Sequence, residues 1–179
     1  MKRFYIVLLF QILSLPALKA QDTLAFPYSW QGKWQGDLEI YTAKGLSQSV
    51  PMELHILPTD STNRFTWTII YGEDKEAGKR PYELVILDAE KGVYAIDEKN
   101  SIQLEGYFIK DKFFSRFEVM GNLLLTTEQL VGEELIFEII VGKMTPVSVT
   151  GNEVINGDTI PPVQAFPLKV MQRAILHRQ

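Results

Sequence analysis

Few side chains in this sequence have the type and spacing that chemistry requires. There are two histidines, His55 and His177, and no cysteine. Thiol nucleophiles, thiolate zinc sites and disulfides are therefore excluded. His55 stands between Leu54 and Ile56 and shares a strand phase with Glu53, which turns it outward. His177 falls within the last three residues, where chains fray. The histidines lie far apart and neither has a spaced set of carboxylates beside it, so no metal site is read. No Gly-x-Ser-x-Gly elbow and no glycine-rich phosphate loop occurs.

The carboxylates offer little more. Glu105 and Glu118 would face one another across a hairpin turning at Asp111-Lys112, with Arg116 nearby. Paired acids can split their pKa values and share general acid–base work. An exposed ion-pair cluster is the plainer reading of these residues, and a charged turn is the plainer reading of Asp97-Glu98-Lys99-Asn100. No catalytic residue is assigned, no cofactor is expected, and the chain reads as a non-enzyme.

These residues sit on a chain of 179 residues with a formal charge of −4, long enough for one domain. That charge gives no electrostatic reason to expect nucleic acid as a partner. Lys2 and Arg3, an apolar run from Phe4 to Leu15, and the small residues Ala17 and Ala20 before Gln21 form the layout of a secretory signal peptide. The apolar run is shorter than the roughly 20 residues that span a bilayer, and no later stretch reads as a membrane helix. The expected organisation is a signal peptide over 1–20 and one domain over 21–179, exported to the periplasm or beyond. Cleavage removes Lys2, Arg3 and Lys19, which takes the formal charge from −4 to −7. A cysteine-free exported domain is stabilised by its core alone.

The body of the chain repeats the strand period of two. Trp34, Gly36, Leu38 and Ile40 alternate with polar residues, as do Phe65, Trp67, Ile69 and Tyr71. Similar runs recur at 52–56, 82–88, 93–96, 102–109, 113–120, 123–129, 135–141 and within 166–176, giving ten candidate strands. Most connections are too short for a parallel crossover. The expected fold is therefore all-β, an antiparallel up-and-down barrel of about ten strands, because closure removes exposed edges. With the Asp111-Lys112 turn, Phe108 opposes Ser115 and Gly106 opposes Phe117, so the glycine would make room for the Phe117 ring. Residues 144–163 contain Pro146, Gly151, Gly157, Pro161 and Pro162. They read as a long loop of lid type or a plain crossing.

Gln31-Gly32-Lys33-Trp34-Gln35-Gly36, opening the first strand, resembles the Gly-x-Trp signature of the calycins, the superfamily of lipocalins and fatty-acid-binding proteins. The resemblance implies a tryptophan at the barrel floor with a cation from the last strand on its ring. Here that pair would be Trp34 and Arg173. The chain lacks the disulfide and C-terminal helix of typical lipocalins, and residues 42–48 are too short for the helix pair of fatty-acid-binding proteins. Ten strands fit the fatty-acid-binding or nitrobindin-like branch. The latter implies a haem alternative, with His177 as ligand.

With Trp34 inward, the same phase places Leu38, Leu54, Trp67, Tyr82, Leu84, Phe108, Phe117 and Phe137 inside. These nine residues are the expected ligand lining. The first functional expectation is a non-catalytic carrier of a small apolar ligand held in the barrel. The alternative is a filled barrel that acts as an interaction module through its loops or outer face, with Tyr41, Ile109 and Phe114 as outward apolar residues.

Overall fold

Period-two alternation becomes ten long strands because each has one apolar face to bury and none can bury it alone. The computed structural model describes residues 25–179; the expected signal peptide lies outside them. The strands are β1 (Gly32–Thr42), β2 (Gly45–Ile56), β3 (Arg64–Tyr71), β4 (Lys79–Asp88), β5 (Val93–Asp97), β6 (Gln103–Ile109), β7 (Lys112–Val119), β8 (Asn122–Val131) and β9 (Glu134–Lys143), with β14 (Leu168–Arg178) as the last. A single helical turn, α1 (Lys75–Gly78), joins β3 to β4 and is capped by the Asp74 carboxylate on the Ala77 amide at 3.1 Å.

The strands close into one antiparallel barrel in the order β1-β14-β9-β8-β7-β6-β5-β4-β3-β2. Consecutive strands are neighbours throughout, and β14 fills the seam between β9 and β1. The up-and-down barrel expected from alternation and short connections is the fold observed.

Two details differ from expectation. The β6–β7 turn uses Lys110 and Asp111, with Lys110 at φ +47°, so Phe108 opposes Phe113 and Gly106 opposes Ser115. The register moves by two residues, which changes every partner and keeps every face. A Cβ on Gly106 would collide with the ring of Phe113, and it would lie 2.8 Å from the Ser115 hydroxyl oxygen. The glycine makes room for Phe113, not for Phe117.

Residues 144–163 are not a plain loop. Within and just beyond them run four short strands, β10 (Ser148–Thr150), β11 (Glu153–Ile155), β12 (Asp158–Ile160) and β13 (Val163–Ala165). β10 pairs with β13 and β11 with β12, so the segment doubles back as a two-stranded arm between β9 and β14. Its prolines stand between strands, where no ladder hydrogen bond is lost. Every residue of the four strands is exposed.

The barrel has one filled end. Residues before β1 form a 3-10 turn, Tyr28–Trp30, that crosses the end where β1 begins and β14 finishes. Phe26 stacks on Phe108 with ring centroids 4.4 Å apart and meets Trp30 and Tyr94 edge-on. Trp34, Phe65 and Phe113 complete this aromatic floor with the aliphatic Leu84 packed beside them, all buried. Such contacts contribute about 0.5–1.5 kcal/mol per pair beyond burial.

Candidate functional site

Trp34 fixes the floor. Its indole N–H donates to the Trp30 carbonyl at 2.9 Å, which satisfies the one polar atom of a fully buried side chain. The cation on its ring is Arg178, 4.4 Å from the ring centroid, and this corrects the expected Arg173. Strand phase is the reason. Ala174 and Leu176 are buried against the interior, so Arg178 shares their face and Arg173 turns outward, 3.7 Å from Glu138. The Arg178 guanidinium also donates to the carbonyls of Gln31 and Ser29. It thereby ties the last strand to the segment that closes the floor.

Above the floor, toward the opposite end, the interior holds a cavity of about 130 Å³. Of the nine residues expected as lining, Trp67, Tyr82, Phe117 and Phe137 border it. Trp34, Leu38, Leu54, Leu84 and Phe108 belong to the packed core and do not reach it. Ile69, Ile96, Leu104, Phe113 and Ile139 supply the rest of its apolar wall. Its volume is close to that of a 150 Å³ apolar protein cavity that takes benzene and lies well below the 300–1,000 Å³ of drug-sized pockets.

The cavity also contains polar residues outside the expected nine. Glu128, Ser115, Thr126, Tyr71 and Glu98 line it. Glu128 is 3% exposed, as is Ser115. Oε2 of Glu128 and Oγ of Ser115 have no hydrogen-bond partner among the described residues. Burial pushes the Glu128 carboxyl up to about 8, since low dielectric disfavours its charged form. The Tyr71 hydroxyl is raised as well, first by burial and then by the nearby Tyr82 and Glu128. Glu128 lies opposite Phe113 on β7 and Phe137 on β9. A signal for it was available: the Gly132-Glu133 turn pairs Val131 with Glu134, and counting back sets Glu128 across from Phe137, an inward residue.

The remaining candidates fall on the outer wall. His55 and Lys75 both bond the carboxylate of Glu53, at 2.8 and 2.6 Å, and Lys75 is the main reason the Glu53 carboxyl is held below its ordinary range. His177 faces outward, 3.8 Å from Glu134, and does not point into the interior where a haem would sit. Glu105 and Glu118 do not pair: Glu105 accepts the Tyr107 hydroxyl, and Glu118 accepts the Gly121 amide. Asp97 accepts the Lys99 amide at 2.9 Å and joins Arg64 and Glu83 in a surface network. Tyr41, Ile109 and Phe114 stand on β1, β6 and β7; four steps around the barrel separate β1 from β7, so the three do not form one patch. Among the described residues no group of three or more His, Cys, Asp or Glu is placed to hold a metal ion. None of their helices is long and apolar enough to cross a membrane.

The fold and interior define a class: an up-and-down ten-stranded β-barrel with one end filled by aromatics and a small acid-containing cavity above. No protein-family model matches the chain, and no curated protein matches it.

Proposed function

We propose that this protein is a non-catalytic binding protein that holds a small, largely apolar molecule inside an exported, calycin-like barrel. The observation that carries the reading is the cavity of about 130 Å³, walled by apolar and aromatic side chains around buried polar atoms that lack partners among the described residues. Unpartnered buried polar groups are costly in a finished core, and a few convergent polar groups in an apolar pocket are what orients a ligand. The calycin likeness draws support from the closed barrel and from Arg178 on the ring of Trp34 at its floor. The volume sets the scale of the occupant near benzene.

The test is thermal unfolding with increasing toluene, benzene or n-butanol. The midpoint should rise with ligand concentration, as for any molecule that binds only the folded state. The rise should be blunted in Thr126→Leu, which takes up part of the cavity. No rise with any probe would sink the proposal. Export is part of the reading, and N-terminal sequencing of protein recovered from its host should begin at Gln21.

A second reading, an interaction module acting through a loop, is favoured by the arm, where Val149, Val154 and Val163 are each more than half exposed. It predicts that excising the arm abolishes the biological effect while ligand uptake persists.

A further inference from the structure

We infer that the cavity selects small alkylammonium cations over carboxylates of the same shape, with Glu128 receiving the ammonium group. The inference rests on the reading of the barrel as a small-molecule container and adds the chemical class of the occupant.

The charge of the lining decides the sign. Its two carboxyls are those of Glu128 and Glu98, and among the described residues no lysine, arginine or histidine borders the cavity. Glu128 is the deep one, 3% exposed, and among the described residues its Oε2 lacks a partner, as does the Ser115 hydroxyl on the adjacent strand β7. An ammonium group has three donors and no acceptor. It could donate to Glu128 and Ser115 together, while its alkyl stem meets Phe137, Ile139 and Ile69. The rings of Trp67, Tyr71 and Tyr82 border the same space, and aromatic faces attract cations. A carboxylate in that position finds no cation in the lining to pair with. Arg80 shares the inward phase of β4 with Tyr82, but its guanidinium is bonded to the carbonyls of Ala77 and Lys79 outside the cavity.

Proton linkage follows. With burial raising its carboxyl to about 8, empty Glu128 carries a proton at pH 7. A bound ammonium favours the carboxylate, so the carboxyl gives its proton to solvent as the ion pair forms, and charge balances. Affinity should therefore rise about tenfold per pH unit from 6 toward 8. The other titratable groups facing this space are the hydroxyls of Tyr71 on β3 and Tyr82 on β4, both raised and neutral here, and Glu98 beyond β5. The cross-strand neighbours Phe113 and Phe137 do not titrate.

The experiment is calorimetric titration at pH 7 with three isosteres: n-butylamine, n-butanol and n-butyrate. Butylamine should bind at least tenfold tighter than butyrate, with net proton release seen as different heats in phosphate and Tris. Glu128→Gln should lose at least tenfold in butylamine affinity while retaining butanol. Butyrate binding as tightly as butylamine, or butylamine binding that ignores Glu128→Gln, would overturn the inference and leave the container reading intact. Binding of none of the three would overturn both. If Glu128→Gln does not fold, the butylamine-to-butyrate ratio and proton release of the native chain decide.

Discussion

The guanidinium of Arg178 lies 4.4 Å over the ring of Trp34, so the second-last residue of the chain covers the floor on which the barrel is built. Through the carbonyls of Ser29 and Gln31 the same side chain ties β14 to the segment preceding β1. Replacing Arg178 by alanine should cost about 1–2 kcal/mol in chemical denaturation, from the cation–π contact and the charged hydrogen bonds together. Arg173→Ala, on the outer wall, should stay within about 0.5 kcal/mol of the native protein. Equal losses in the two variants would refute the assignment.

Gly106 and Phe113 form a second matched pair. Gly106→Ala drives a methyl into the Phe113 ring, and overpacking of this kind costs about 1–3 kcal/mol. In the background of Phe113→Leu the added methyl should cost less, so the double variant should lose less than the sum of the two single losses. Additive losses would show that the ring is not what the glycine accommodates.

Glu128 makes stability depend on pH in an uncommon direction for a carboxyl. Its folded value, about 8, lies above the ordinary 4.5, so between those values the native state holds a proton that the unfolded state has released. Stability should be greatest near or below pH 4.5 as far as this group is concerned, and should fall by roughly a few kcal/mol as pH rises toward 8. Glu128→Gln should flatten that slope in urea denaturation at pH 5 to 8. A native chain with no slope would remove the buried acid from the account.

At the acid end the sign reverses. Glu53 is held low chiefly by Lys75, Glu83 chiefly by Arg64, and Asp97 by the Lys99 amide and Arg64. Their stabilisation is present above the unfolded carboxyl values and is lost as pH falls through the lower folded ones. Lys75→Ala should therefore shift the acid-unfolding midpoint upward, because Glu53, only 7% exposed, loses its main partner. An unchanged midpoint would count against the pair.

The arm contributes no core. Excising residues 147–165 and bridging the gap with a short turn should leave the far-UV circular dichroism of the barrel in place and the melting temperature within a few degrees, since shorter loops cost less to close. Collapse of the barrel signal on excision would mean that the arm packs on it.

Strand number, antiparallel order and the inward phase of Trp34, Trp67, Tyr82 and Phe137 were legible because period-two burial is a local property and short connections leave neighbours few choices. The Arg178 contact was less so. Residue types alone make Arg173 and Arg178 equal candidates, and one step along a strand exchanges inside for outside. The β6–β7 turn shows the same limit at a finer scale: moving it by one residue changed the partner of Gly106 from Phe117 to Ser115, and the ring it accommodates to that of Phe113, without disturbing either face.

By itself the sequence determined which side of each strand avoids water, since that follows from residue order alone. How completely those sides fill the space they enclose was decided only in three dimensions. Side chains from strands far apart in sequence meet there, and whether they close the gap depends on their combined volume. That is why an aromatic segment ahead of β1 fills one end, and why an acid on β8, ordinary in its own strand, borders the space left at the other.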